Sequence, residues 1–241
     1  MCQKSDDSRN IREKLLFEMK EGIFSKCDRL PRETVLSEEL GISRTQLRDV
    51  LPDLEREGFI TRRHGVGTVI NRHVLQVKNR MDIETEFMDI IRQNGYEPGV
   101  AWVRVQEEAA DAYVAGRLQL PEGAELVRIS RLCTADGKPA LYCEDVLDKG
   151  LVKGDYTYRD LERPIFAFLK EFCEISAYMD LTDLHAVVAD EPLAEIFAIP
   201  VGTPLLNMEE LDYDIEGHPV FFSRQYFVDS VFTHTVLRKK L

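Results

Sequence analysis

Ser43, Arg44, Thr45, Gln46 and Arg48 stand together immediately after a Gly41-Ile42 step. At the beginning of a helix, side chains of these types read double-stranded DNA. An arginine fork matches the paired acceptors of guanine, and a glutamine amide matches adenine. Serine and threonine hydroxyls bind phosphate oxygens, and the unpaired N–H groups of a first helical turn attract the same anions. A second basic group, Arg62, Arg63 and His64, leads into Gly65. The missing side chain there lets one backbone approach another closely.

These groups need a scaffold. Ile11, Leu15, Leu16 and Met19 recur at helical spacing, which predicts a helix over 9–24 with Gly22 near its end. Thr34 is expected to cap a second helix, VLSEEL, that stops at Gly41. Ser43 is expected to cap a third, in which Leu47, Val50, Leu51 and Leu54 hold the apolar face up to Gly58. Two helices joined by Gly-Ile-Ser make a helix-turn-helix, with the reading residues on the first turns of the second. Phe59-Ile60 and Val69-Ile70 then flank RRHGVG as the strands of a short hairpin, the wing.

The chain of 241 residues carries a net charge of −12, which taken alone argues against a nucleic-acid partner. The distribution reverses that reading. Residues 1–78 sum to +2 and residues 79–241 to −14. Two domains with different partners are expected, the first able to approach DNA and the second repelled by it. Hydrophobic residues at 44% and charged residues at 31% suit a chain that buries a core. No apolar run reaches the roughly 18 residues of a membrane span, so no membrane partner is expected. The polar start MCQKSDDSRN has no signal-peptide core, so Cys2 is not read as a lipoprotein cysteine. The five cysteines contain no CxxC pair, which argues against a disulfide framework and a structural zinc site. A reducing, cytoplasmic setting follows.

Residues 72–80 are polar and without period, and read as a linker between a winged domain at 1–71 and a second domain at 81–241. There, helical patterns at IETEFMDIIRQ, 107–118, PIFAFLKEFC and ADEPLAEIFAI alternate with strand-like AWVRVQEE and 181–189. Two long hairpins, VRISRLC-ADGKP-LYCEDVL and LLNMEELDYD-IEGHP-VFFSRQYFV, share an acidic, glycine-containing turn with proline. Their likeness leaves an internal duplication open. Hairpins with few βαβ crossovers indicate an antiparallel sheet packed with helices, hence an α+β chain.

The runs LPRE, LSEELGISRTQLRDVLPDLEREGFI and RRHGVGTVI resemble the DNA-binding domain of the GntR family of bacterial transcription regulators. The resemblance implies DNA contacts at Arg44, Thr45, Gln46 and Arg48 and a wing tip at His64-Gly65. Two departures stand out. Thr34 replaces the usual arginine, for which Arg32 can partly compensate, and Pro52 interrupts the third helix, where a bend near Asp49–Asp53 is expected. Downstream, NGYEPG, SRLCTADGKPALYCED, LAEIFAIPVGTPLL, DIEGHPVFFSRQYF and the terminal VLRKK resemble the UTRA effector domain of the HutC subfamily, similar in fold to chorismate lyase. That resemblance implies a homodimer on an inverted-repeat operator, most simply a repressor, with a small-molecule effector beside the sheet.

Sugar-phosphate-binding relatives imply polar groups at positions that here read Phe87-Met88, Arg131, Cys133, Cys143 (with Glu144 one step off), Pro164-Ile165-Phe166, Phe221 and, nearby, Tyr226. Most of those positions are apolar while Arg131 remains, so the expected effector is an anionic, partly apolar metabolite. A sugar phosphate is the alternative, and Phe166, Phe221 and Met88 can equally be ordinary core. Cys133 and Cys143 sit on the two strands of one hairpin, which raises a redox role against the plainer reading of two small apolar fillers. His185 beside Asp183 has no third ligand at a metal-binding spacing and reads as structural. No GxSxG, P-loop, GxGxxG or HExxH is present. A cofactor is not expected, nor is a catalytic site; a lyase-like enzyme built on Arg131 and Glu144 is the remote alternative.

Overall fold

The computed structural model describes residues 2–229 and 231–239, with side chains from Asn10 onward. The side chain of Cys2 and Lys240 of the VLRKK run therefore lie outside the described residues. The chain divides into two units: Met1–Glu84 with His234–Leu241, and Thr85–Thr233.

Unit 1 consists of α1 (Cys2–Lys20), β1 (Arg29–Leu30), α2 (Glu33–Leu40), α3 (Arg44–Arg56), β2 (Ile60–Arg63), β3 (Gly67–Ile70) and α4 (Arg72–Leu75), closed by the C-terminal segment. Ile11, Leu15 and Met19 of α1 pack with Leu36 and Leu40 of α2 and with Leu47, Val50, Leu51 and Leu54 of α3. The wing is a three-stranded antiparallel sheet in the order β1-β3-β2. Its first strand is two residues long, too short to leave a pattern in the sequence.

Helix α2 begins at Glu33, with Arg32 as its extended N-cap, so Thr34 is not the cap. Glu33 places a carboxylate in the first turn, where the helix dipole favours it. Gly41 ends α2 in the left-handed region, as its position predicts. Helix α3 runs unbroken through Pro52. An interior proline costs about 3 kcal/mol. The four buried side chains on its apolar face are worth about 1.5–3 kcal/mol each and outweigh that.

The 72–80 segment is folded into unit 1. Val74 and Leu75 lie in the core. The Arg72 guanidinium donates to the carbonyl oxygens of Met19, Phe24 and Cys27, a cation set against the C-terminal end of α1. A polar composition hid two anchoring apolar residues and a buried arginine, Arg80.

Unit 2 consists of α5 (Phe87–Gln93), β4 (Pro98–Ala109), α6 (Ala112–Leu118), β5 (Glu125–Ala135), β6 (Lys138–Asp148), α7 (Tyr158–Leu161), α8 (Ile165–Phe168), β7 (Met179–Val188), α9 (Glu191–Phe197), β8 (Pro204–Tyr213) and β9 (Pro219–Val228). A wide π turn, Leu169–Cys173, continues α8. The six strands form one antiparallel sheet in the order β4-β5-β6-β9-β8-β7. Ile165, Phe168 and Leu169 pack on Val127, Ile129, Leu147 and Phe221, defining a front face. Helices α6 and α9 cover the back, against Val146 and Phe222 and against Leu132 and Tyr142 respectively.

The two halves of this sheet repeat each other. Asp111 and Asp190 cap α6 and α9 in the same way, each carboxylate accepting an N–H three residues on. Gln119 and Ala198 end those helices with positive φ. Gly123 and Gly202 turn the chain into the next strand by the same hydrogen bond, to Ala110 and Ala189. Each of these pairs is 79 residues apart. Strand–helix–strand–strand is thus built twice, and β6 meets β9 at the seam.

Candidate nucleic-acid interface and effector site

The first turn of α3 is fixed by a capping box. The Ser43 hydroxyl accepts from the Gln46 N–H at 3.2 Å, and the Gln46 Oε1 accepts from the Ser43 N–H at 3.0 Å and from the Ser43 hydroxyl at 2.9 Å. This pre-forms the helix start. It also engages both side chains: with Oε1 in use, Gln46 keeps only its Nε2 donors for an adenine. Arg44 and Thr45 are exposed and, among the described residues, make no side-chain hydrogen bond or ion pair. Arg48 is exposed but held by Glu33 at 2.8 Å.

On the wing, Arg63, His64, Gly65 and Val66 are exposed. Gly65 and Gly67 both have positive φ, the condition the tight turn sets. Arg29 donates to the Val66 carbonyl at 3.0 Å and holds the tip against β1. Arg62 is tied to Glu55 at 2.7 Å. Burial works against the charge on Glu55, but hydrogen bonds from Arg62, its charge and that of Lys239 hold the carboxyl below the usual range. Arg32 is exposed at the head of α2, and Thr34 is exposed one turn into it. Of the predicted contact residues, Arg32, Arg44, Thr45, Arg63 and His64 face solvent with no partner among the described residues, while Arg48, Arg62 and Gln46 enter any DNA contact already partnered.

In unit 2 the pairing of β5, β6 and β9 sorts the expected effector positions by face. Arg131 pairs with Cys143, and Cys143 with Gln225. Those three point to the front, with Cys133, Asp145, Ser223 and Phe221 at alternate positions. Phe166 meets Phe221 edge to face at 5.9 Å, and Phe87 meets Phe227 at 6.3 Å. Pro164 is the N-cap of α8, Ile165 is buried in the front core, and Met88 is half-buried on α5. Glu144 and Tyr226 do not join this group. Each sits one position from a front residue, and the period of two turns both to the back. Glu144 there accepts from Tyr142 at 2.7 Å, and Tyr226 stacks on Tyr142 at 6.2 Å.

Arg131 is not a spare cation. It is 4% exposed and ion-paired with Asp145, itself 1% exposed. It also donates to the Arg163 carbonyl at 2.8 Å. Asp145 accepts from the Ser223 hydroxyl at 2.8 Å, and Gln225 donates to Glu210. Burial penalises the Arg131 charge, but the surrounding groups, Asp145 among them, hold the guanidinium protonated. Its Nε–H is buried with no hydrogen-bond partner among the described residues. Asp145, Ser223, Gln225 and Glu210 were not expected as site residues. The sequence signal was Asp145 in β6 and Ser223 and Gln225 in β9, polar residues on a strand face whose other positions are apolar.

Cys133 pairs with Leu141 and Cys143 with Arg131, so the two cysteines are offset rather than directly opposed. Burial raises both thiols, Cys133 to about 11. Neither is a thiolate near neutral pH, and both serve as apolar filler. His185 is exposed on β7, and Asp183 lies 3.4 Å from Arg117. Among the described residues no three His, Cys, Asp or Glu side chains gather to hold a metal ion, and no helix is long and apolar enough to cross a membrane.

Comparison with known proteins agrees with this division. Residues 7–70 match the bacterial regulatory proteins of the gntR family, and residues 93–233 match the UTRA domain. The histidine utilization repressor of Pseudomonas putida is 24% identical over 199 residues, covering 81% of this chain and 77% of that protein. The probable fructoselysine utilization operon transcriptional repressor of Escherichia coli K12 is 22% identical over 241 residues, covering 95% and 93%. Among solved structures, YydK of Bacillus subtilis superposes with a TM-score of 0.77 at 18% identity, over 97% of this chain and 99% of that one. PhnF of Mycobacterium smegmatis gives 0.60 at 20% identity, over 95% and 99%.

Proposed function

The chain belongs to the gntR family of bacterial transcription regulators, in the HutC group that carries a UTRA domain, and from that premise we propose that it is a homodimeric repressor of an inverted-repeat operator, released or tightened by a small metabolite. It is a regulator and not an enzyme. The observation that carries the DNA side is the set of unengaged donors on the capped start of α3 and on the wing tip, all on the one unit whose charge is not acidic. Arg44 and Thr45 read bases, while Arg63, His64 and Gly65 follow the minor-groove side of the backbone. The setting is the cytoplasm, where the operator is.

The effector side rests on the front of the unit 2 sheet. Its one guanidinium already shares its charge with Asp145, and Phe166, Phe221, Cys133 and Cys143 stand around it. Among the described residues a doubly charged phosphate finds no surplus cation there. A partly apolar, singly charged metabolite that takes the Arg131 Nε–H fits better. A thermal-shift screen separates the classes: amphipathic carboxylic acids should raise the unfolding temperature, and stabilisation by amino-sugar phosphates alone would assign the site to a sugar phosphate instead.

Affinity capture of fragmented genomic DNA on the purified protein, followed by sequencing, tests the central claim. Enrichment of an inverted repeat upstream of a few genes is expected. Diffuse enrichment at low salt, with and without candidate effectors, would sink it.

The dimer is supported by β7, an edge strand that leaves Met179, Leu181, Leu184 and Val188 between 48% and 63% exposed. Edge strands are normally blunted with charge, and an apolar one is suited to pairing. Leu181→Lys with Val188→Lys should convert a dimer into a monomer in sedimentation velocity and weaken binding to the repeat. An unchanged sedimentation coefficient would move the interface elsewhere.

A further inference from the structure

The last residues of α3 and the two that follow it present four carbonyl groups to side-chain donors from elsewhere in unit 1. Lys239 Nζ donates to the carbonyl oxygens of Glu55 and Arg56 at 2.6 and 2.7 Å. Arg80 donates to that of Glu57 at 2.6 Å, and Asn71 to that of Gly58 at 2.7 Å. A helix C-terminus is the negative end of the helix dipole and favours such cations. Lys239 comes from the far end of the chain.

The rest of the C-terminal segment is seated around it. Leu237 packs against the unit 1 core. It also fills the space beside Gly58, where an added Cβ would lie 2.4 Å from Leu237 Cδ2. Thr235 bridges to the chain that leads out of unit 1: its N–H donates to the Asn79 carbonyl at 3.1 Å, and its carbonyl accepts from the Met81 N–H at 3.0 Å. Asn79 and His234 are hydrogen-bonded at 3.0 Å. The outgoing and returning chains are thus paired within unit 1 before they continue into Thr85 and from Thr233. The segment lies beyond the residues matched by either family, which end at 70 and 233.

We propose that His234–Lys239 is a working part of the DNA reader, with Lys239 a positioning residue that holds the recognition helix from behind. The end of α3 opposite its reading turn is gripped by a segment covalently continuous with the effector unit. The link from Thr233 to the lysine is six residues long, short enough that a shift in the last strands of unit 2 pulls on the helix end. This rests on the operator-binding reading above.

Lys239→Ala, Lys239→Arg and Arg238→Ala are compared in the full-length chain. Arg238 is exposed and makes no such contact, so its loss controls for the charge of the tail. Two readouts are used: hydrogen exchange of the amides at 57–59, and affinity for a fragment captured by the wild-type protein. Lys239→Ala should speed that exchange and weaken binding about 5-fold, the effect of one cation at a helix end. Lys239→Arg should restore most of both, and Arg238→Ala should change affinity less than 2-fold and exchange not at all. Equal loss in Lys239→Ala and Arg238→Ala with unchanged exchange would make the tail a phosphate contact and overturn the proposal, as would a Lys239→Ala protein that behaves as wild type. If the wild-type protein captures no DNA, the operator reading falls, while the exchange measurement still decides whether the segment holds the helix.

Discussion

Arg44→Ala should lower affinity for the captured operator about 5–150-fold, the range of one bidentate base contact. The arginine stands free at the first position of a helix whose start is already ordered by Ser43 and Gln46. Among the described residues it holds no hydrogen bond or ion pair that would have to break for it to bind. Arg48 differs, because it must first leave Glu33, a surface pair worth about 0–1 kcal/mol. Arg48→Ala should therefore cost less. Anisotropy titrations at one fixed salt concentration, repeated on operators with single base changes, measure both. The Arg44→Ala loss should vanish on one base-pair substitution and persist on the others. A larger loss at Arg48 than at Arg44 would show that the Glu33 pair opens on DNA and that the reading residue lies one turn further along.

Asp145→Ala should destabilise unit 2 by about 3–5 kcal/mol, because it leaves the Arg131 guanidinium buried and uncompensated. For a unit of this size that is a fall of roughly 6–20 °C in unfolding temperature. Ser223→Ala removes only one hydrogen bond to the same carboxylate and should cost about 1 kcal/mol. Replacing Arg131 and Asp145 together by leucine restores most of the stability, since a buried ion pair and a packed apolar pair are often of similar worth. That double variant should fold and bind operator, yet lose any response to effector. Thermal unfolding by circular dichroism, followed by operator titration with and without the stabilising compound, checks both halves. A double variant that still responds would place the effector away from Arg131.

The parts of the fold that sequence reasoning found are those governed by local rules. The Ser43 cap, the Gly41 stop, the α3 apolar stripe and the glycine-turned wing each follow from a few adjacent residues, and all are present. The likeness of the two long hairpins was visible, and the structure extends it back through the caps and turns of α6 and α9. What stayed hidden depends on distant partners. No local pattern announces that Arg131 meets Asp145, because a strand position fixes a face and not the charge waiting across the sheet. The choice between Cys143 and Glu144 was likewise open until pairing set the register, and the same pairing turns Tyr226 to the back of the sheet. Thr34 was misplaced because a hydroxyl is the commoner cap, whereas here a carboxylate at Glu33 supports the helix start. The 72–80 stretch reads as a linker because its composition is polar; its anchors are two apolar residues and two arginines that donate to carbonyls at or just beyond the ends of α1 and α3, far away in the chain.

The grip of Lys239 on Glu55 and Arg56 spans more than 180 residues of chain. Synthesis delivers the amino-terminal part first, and domains tend to fold as they emerge. Here the helix proposed to read DNA is made early but receives this partner only after 183 further residues, the whole of unit 2 among them, have been added. A chain interrupted anywhere before Lys239 lacks this grip, so that molecules carrying the second unit and the segment after it are the ones expected to compete for the operator at full strength.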